Sequence, residues 1–242
     1  MLYILKRTIK KILRALGFKL IKIGPPHTPN PYGEVTLETV DCMNKSRGIM
    51  NLGAHRGNEA EVYNWFGKKV IWFEAVPHLF DQLKDNLYFY GDQKAFHVLL
   101  GDQDNIEKDF FISGNDAACS SLFNFTNEVI EKGWDGRKVF MKEKIKLKMF
   151  KLDTILKKNN ISHDEYNHWI VDLQGSELLV FKGAEGALKS CNSISVEVSK
   201  VKYYDGGVLW DELVSWLGER NFYPAESPEK NHTEILFKKN FK

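Results

Sequence analysis

The sequence predicts an α/β fold of the Rossmann-like kind, a mostly parallel sheet with helices on both faces. From residue 48 onward, short β-branched or aromatic runs alternate with helical stretches, the pattern that builds such a sheet. A glycine-bearing loop follows the first run, and an acidic residue closes the second. The chain has 242 residues and is 43% hydrophobic, which suits one sizeable domain rather than disorder.

The N-terminus comes first. Leu2, Leu5, Ile9, Ile12, Leu13 and Leu16 recur at three- and four-residue steps among Lys6, Arg7, Lys10, Lys11 and Arg14. That spacing predicts a basic amphipathic helix ending near Gly17, too charged to span a bilayer. It suits either an anionic membrane surface or packing on protein. Pro25, Pro26, Pro29 and Pro31 make a stiff linker, so residues 1–32 form one segment and 33–242 the folded domain.

Ile49–Leu52 reads as the first strand, 58–66 as a helix, Lys69–Glu74 as the second strand, and Pro77–Tyr90 as a helix with proline in its first turn. Ala95–Leu100 reads as the third strand. Residues 107–150 break the rhythm and predict an inserted hairpin with a loop or lid. A helix over 153–158, strand 168–173, helix 176–188, strand 193–198, helix 210–219 and a late strand 233–237 complete the order.

Residues 1–33 hold seven Lys and Arg and no acid within a net charge of +2, which leaves the body acidic and argues against a nucleic-acid surface. Cys42, Cys119 and Cys191 lack the close spacing of a zinc or redox motif and read as thiols in a reducing cytosol. The chain is therefore expected to be cytoplasmic, with peripheral contact to the inner face of the membrane as one reading of residues 1–23.

Asn51-Leu52-Gly53-Ala54-His55-Arg56-Gly57 sits where a buried strand gives way to a helix, and ligands of such sheets bind beyond the carboxyl ends of strands. Glu74, at the end of the next strand, is placed to accept hydrogen bonds from two ribose hydroxyls. The loop lacks the third glycine of a pyrophosphate cradle, so a phosphate-free adenosine ligand, S-adenosylmethionine, fits better than a dinucleotide. The expected cofactor residues are Asn51, Gly53, Ala54, His55, Gly57, Glu74, Ala75, Gly101, Asp102 and Asp172. Asp172 and Glu197 close neighbouring strands, and two carboxylates there could orient a hydroxyl, take its proton, or jointly hold Mg2+. His55 is a third candidate base.

Together with Phe73-Glu74-Ala75-Val76-Pro77, Leu152-Asp153, Asp172-Leu173-Gln174-Gly175-Ser176-Glu177, Phe181-Lys182-Gly183-Ala184 and Val196-Glu197-Val198, the loop resembles the FkbM family of methyltransferases over about residues 48–223. That resemblance implies the seven-stranded class I methyltransferase sheet and O-methylation of a saccharide or glycolipid. The family usually has Asp where this chain has Asn51, and Glu where it has Gln174. The stretch Ser113–Leu122 resembles the family's Ser-Ser-Leu segment, which points to Ser120 and Ser121, with Gln174, as substrate-binding residues. Two other readings stay open: an NAD-type dehydrogenase, and a membrane-associated interaction protein that keeps the fold without catalysis.

Overall fold

The computed structural model describes residues 36–134 and 136–240; the expected basic helix, the proline linker and the domain start near residue 33 lie outside them. The elements run α1 (Leu37–Lys45), β1 (Gly48–Leu52), α2 (Ala60–Trp65), β2 (Lys69–Glu74), α3 (Pro77–Leu87), β3 (Gln93–His97), β4 (Leu99–Leu100), β5 (Ile106–Ser113), α4 (Asn127–Lys132) and β6 (Met141–Phe150). They continue with α5 (Leu152–Lys158), β7 (His168–Val171), α6 (Glu177–Lys182), α7 (Glu185–Leu188), β8 (Ser193–Ser199), α8 (Trp210–Gly218), β9 (Phe222–Pro224) and β10 (His232–Lys239).

Seven strands form one sheet in the order β3-β2-β1-β7-β8-β10-β9, and β10 alone runs against its neighbours β8 and β9. The expected α/β class with a mostly parallel sheet is what the chain forms. β1 is buried along its whole length, as a central strand covered on both faces must be. Alternation divides its side chains: Met50 and Leu52 join the larger core beside Ile71, Phe73, Trp169 and Phe181, while Ile49 joins Val70, Trp72 and Tyr63 on the other face. Helices α1, α2 and α3 supply Met43, Tyr63 and Leu83 to the second face, and α5, α6 and α8 supply Leu156, Phe181 and Leu217 to the first.

The insertion is the expected hairpin: β5 and β6 pair antiparallel, and β4 joins β6 to make a separate three-stranded sheet. The single strand expected over 95–100 is therefore two. Val98 N–H donates to Glu74 carbonyl at 3.0 Å, after which the chain leaves the main sheet and Leu99 pairs with Met149. The helix expected over 176–188 also divides. Gly183 packs so close to the Gly101 carbonyl that an added Cβ would lie 1.9 Å from it, and the chain turns there before α7.

Candidate functional site

At the carboxyl ends of β1, β2 and β7 the chain encloses a cavity of about 280 Å3. Its floor is the turn after β1. Gly53 and Ala54 both donate their N–H to the Phe73 carbonyl, at 3.0 and 2.9 Å, which folds the chain back over the end of β2. Gly53 holds φ +91°, and a Cβ on it would sit 1.8 Å from the Asp172 carbonyl oxygen, so only glycine fits. His55 follows at φ +48°, and its N–H donates to Glu74 Oε2 at 2.7 Å.

Glu74 is 6% exposed and lines the cavity. Its other oxygen accepts from Val76 N–H at 2.7 Å, so the carboxylate braces both the glycine loop and the start of α3 while retaining further lone pairs. Burial pushes its carboxyl up to about 7 against these backbone donors. Around it stand Phe73, Val76, Leu79, Val98, Leu99, Leu100 and Phe110, an apolar slot suited to a flat ring. The charged residues lining the cavity are Glu59, Glu74 and Asp172, with no Lys or Arg among the described lining residues. Such a wall suits a cofactor bearing a sulfonium and an ammonium, and it repels a pyrophosphate.

Of the expected site residues, Gly53, Ala54, His55, Glu74, Ala75, Ser120, Asp172 and Gln174 line this cavity. Asn51, Gly57, Gly101, Asp102, Ser121 and Glu197 stand outside it. Asn51 is buried and bonds the hydroxyl of Tyr63 beneath the loop. Gly57 turns the chain at φ +61° against Leu83, where a Cβ would come within 2.4 Å of Cδ1, so it seats α3 rather than a ligand. Gly101 N–H donates to the Phe150 carbonyl at 3.0 Å, tying β4 to the insertion, and Asp102 follows it. Ala117 and Ala118, from the stretch expected to line the active site, do line the cavity, and Asn58, Glu59 and Ser176 line it without having been expected there. Glu59 had a legible signal, a carboxylate two residues beyond the glycine loop at the entry to α2; burial raises its carboxyl.

The insertion covers the opening. Asp116 and Ala117 hold positive φ of 63° and 61°, and the turn is knit by Ser113 Oγ, which accepts from Cys119 N–H at 3.0 Å. Asp116 is fastened to the glycine loop by Arg56 at 2.5 Å and by His55 Nε2, 3.2 Å from its carbonyl oxygen. A carbonyl only accepts, so Nε2 carries hydrogen, and burial lowers the imidazole so that it is neutral. His55 thus tethers the lid instead of presenting Nε2 as a base. Ser121, fully buried, donates to the Gln174 carbonyl at 2.7 Å and fixes the other end.

Beyond the lid, Gln174 organises the acidic pair. It adopts φ +52°, and Glu177 holds its loop by accepting from Leu173 N–H at 3.1 Å and Gly175 N–H at 3.0 Å. The Gln174 side chain accepts from Tyr204 hydroxyl at 2.5 Å, which fixes the amide's orientation and turns its N–H2 toward acids. One hydrogen reaches Asp172 Oδ1 at 2.7 Å and the other reaches Glu197 Oε2. Asp172 and Glu197 also hydrogen-bond each other. Asp172 lies deep in the protein yet keeps an exposed face, because it projects into the cavity.

The two carboxylates therefore do not converge on the pocket as expected from their strand ends: Asp172 faces it, and Glu197, inside β8, stands behind. Burial and the neighbouring Glu197 hold the Asp172 carboxyl well above the usual carboxylate range, and burial raises Glu197 to about 7. An acid pair in contact at this depth shares a proton. With amide hydrogens aimed at both partners, the arrangement does not fit a magnesium site. Among the described residues no group of three His, Cys, Asp or Glu side chains is placed to hold a metal. Glu197 Oε1 meets His232 Nε2 at 2.7 Å, a partner from β10 that the sequence did not signal.

A family model described as the methyltransferase FkbM domain matches residues 51–224. A search of curated proteins gives no match. Solved structures similar to the chain include magnesium protoporphyrin IX methyltransferase from Synechocystis with bound S-adenosylmethionine, 8% identical over 83% of this chain and 74% of that one, TM-score 0.43. Another is precorrin-6y C5,15-methyltransferase from Geobacter metallireducens, 11% identical over 88% and 93%, TM-score 0.44. A third is 1,6-didemethyltoxoflavin-N1-methyltransferase from Burkholderia thailandensis, 9% identical over 80% and 71%, TM-score 0.41. The assignment rests on the family model, which spans most of the chain and the whole of the cavity's glycine loop, Glu74 and Asp172 segment: the chain belongs to the FkbM family and is an S-adenosylmethionine-dependent methyltransferase.

Proposed function

We propose that the enzyme methylates a hydroxyl oxygen of a saccharide or glycolipid. The observation that carries this reading is Asp172: a carboxylate on the cavity wall whose surroundings make it an unusually strong base for its type. Sulfonium and ammonium ends of the cofactor would lie against Glu59 and Asp172, and its ribose against Glu74 with the adenine among Leu99, Leu100 and Phe110. When bound, S-adenosylmethionine supplies an electrophilic methyl group.

A hydroxyl needs what an amine does not, a group that takes its proton as the new bond forms. Holding oxygen and methyl carbon in line lowers the barrier by roughly 7–11 kcal/mol, and a positioned base adds about 10²–10⁴-fold. Ser120 on the lid and the amide oxygen of Gln174 offer hydrogen-bond acceptors to neighbouring hydroxyls of the acceptor. The basic residues 1–23, with their apolar stripe, would bring the enzyme to anionic lipid where glycolipids reside. Among the described residues, no helix is long and apolar enough to cross a membrane.

The test is a panel of saccharides and glycolipids incubated with the full chain and methyl-labelled S-adenosylmethionine. Label should enter an ether-linked methyl group, and Asp172→Asn should lower that rate by about 10²-fold or more at saturating cofactor. Transfer to nitrogen or carbon, or full activity in Asp172→Asn, would overturn the proposal. Flotation of the full chain with phosphatidylglycerol vesicles, against a chain lacking residues 1–23, tests the lipid contact; equal flotation removes it.

A further inference from the structure

Glu197 is joined on both sides. Inward it hydrogen-bonds Asp172, which lines the cavity; outward its Oε1 meets His232 Nε2 at 2.7 Å. The other imidazole nitrogen, Nδ1, lies 2.7 Å from Ser199 Oγ. His232 and Glu197 are partly exposed, with 17% and 21% of their side chains accessible, and Asp172 is exposed where it lines the cavity. These contacts form one unbroken hydrogen-bonded row from the cavity to the surface.

Each member of the row can change protonation state without losing a partner. Ser199 Oγ accepts from Nδ1–H whether the ring is neutral or an imidazolium. Nε2 accepts from protonated Glu197 and, once it has taken the proton, donates to the carboxylate. Gln174 keeps its two N–H bonds to the acids throughout, since its carbonyl end is held by Tyr204. Trp134 and Tyr203 meet the imidazole edge-on at 4.8 and 5.5 Å and fix its plane.

The surrounding carboxylates raise the proton affinity of Glu197, so the outward step is driven from the cavity end. Glu177 from α6 and Glu234 from β10 both act on Glu197, and Tyr204 and Cys119, which approach from the loop side, are neutral. Lys200, the nearby cation on the strand end, is turned to the carbonyls of Pro228 and Glu229. An imidazolium at position 232 faces the Glu197 carboxylate, and the exposed part of the ring gives its proton a way to water.

We infer that Asp172, Glu197 and His232 form a proton outlet from the methyl-transfer cavity to solvent, in which His232 is a positioning residue that exchanges the proton with water. This rests on the proposed transfer to a hydroxyl. In that transfer the acceptor oxygen bonds the methyl carbon, the carbon–sulfur bond breaks with its electron pair kept by sulfur, and the hydroxyl hydrogen leaves as a proton to Asp172. The positive charge lost by sulfur reappears as that proton. The Asp172–Glu197 pair already shares one proton, so it accepts another only as Glu197 hands its own to His232.

The test needs no acceptor. Nitrogen-15 resonances of the His232 imidazole, read at pH 7 in the full chain, give its imidazolium-to-imidazole ratio in the free enzyme, with S-adenosylhomocysteine, and with S-adenosylmethionine. A cation at the cavity end drives Asp172 to ionise and pushes the proton outward, so the ratio should rise about threefold or more with S-adenosylmethionine relative to the uncharged thioether. Glu197→Gln should abolish that response with both ligands still bound, and Ser199→Ala should keep it. The same ratio in all three wild-type states, or an undiminished response in Glu197→Gln, overturns the outlet. Should Glu197→Gln fail to fold, the wild-type comparison decides alone. An acceptor screen without hydroxyl products alongside an intact His232 response would instead refute only the hydroxyl reading.

Discussion

Glu74 offers the sharpest quantitative test of the adenosine site. Its carboxyl is raised to about 7, and only the ionised form accepts hydrogen bonds at both oxygens from two ribose hydroxyls. At pH 6 about a tenth of it is ionised and at pH 8 about nine-tenths, so affinity through this contact should change about tenfold, or about 1.4 kcal/mol. The sign is fixed: a raised folded-state value means binding weakens as pH falls below 7. The probe is 5′-methylthioadenosine, which keeps the ribose and adenine but has neither ammonium nor sulfonium, so that Glu59 and Asp172 contribute little. Calorimetric titration should give a dissociation constant about tenfold lower at pH 8 than at pH 6. Glu74→Gln should bind weakly at both and show no slope, because its uncharged amide sets an N–H2 against the N–H of either His55 or Val76. A flat profile in the native enzyme, or the same slope in Glu74→Gln, would refute the ribose contact.

Three further outcomes follow from the geometry. Gly53→Ala forces a Cβ to 1.8 Å from the Asp172 carbonyl at φ +91°, and should destabilise by about 2–5 kcal/mol, lowering Tm by roughly 10 °C in calorimetry. His168 is fully buried with Nδ1 on Ser193 Oγ, its Nε2 has no hydrogen-bond partner among the described residues, and burial lowers it to about 4. Its depressed value means its contribution is intact above pH 6.5 and lost as pH falls toward 4, up to about 3 kcal/mol, which urea unfolding of the native chain against His168→Gln would measure. Arg56→Ala removes the 2.5 Å ion pair to Asp116 and should speed cofactor release in stopped flow by about two- to fivefold; an unchanged rate would show that the lid does not depend on that pair.

Much of this was legible in the sequence because it is local. The run Lys69–Glu74 matches β2 residue for residue, since a buried strand bounded by a glycine and a proline leaves little freedom. The glycine loop and Glu74 are adjacent through parallel pairing of β1 with β2, which the βαβ rhythm implies. Depth was not legible. Asp172 and Glu197 sit on neighbouring strands, yet spacing alone cannot tell that one faces the cavity and the other stands behind it. Helix α1 was missed although Thr36 caps it by accepting from Thr39 N–H at 3.1 Å, because Pro-rich sequence precedes it and its apolar face is short. His232 was invisible for a different reason: its partners Ser199 and Glu197 lie more than thirty residues upstream, and only the reversed direction of β10 brings them together.

That reversal also sets an order of assembly. Residues 232–239 leave the ribosome after β8 and β9, between which they must be inserted. A nascent chain extending through residue 224 already carries the glycine loop, Glu74, Gln174 and Asp172, and so every residue named here as a cavity wall. Until β10 slots in, however, Glu197 has no outward partner, and the edges of β8 and β9 stay open to other strands. Completion of the sheet and placement of His232 against Glu197 are one folding event, so premature termination before His232 would also strip Ile235 and Phe237 from the main core.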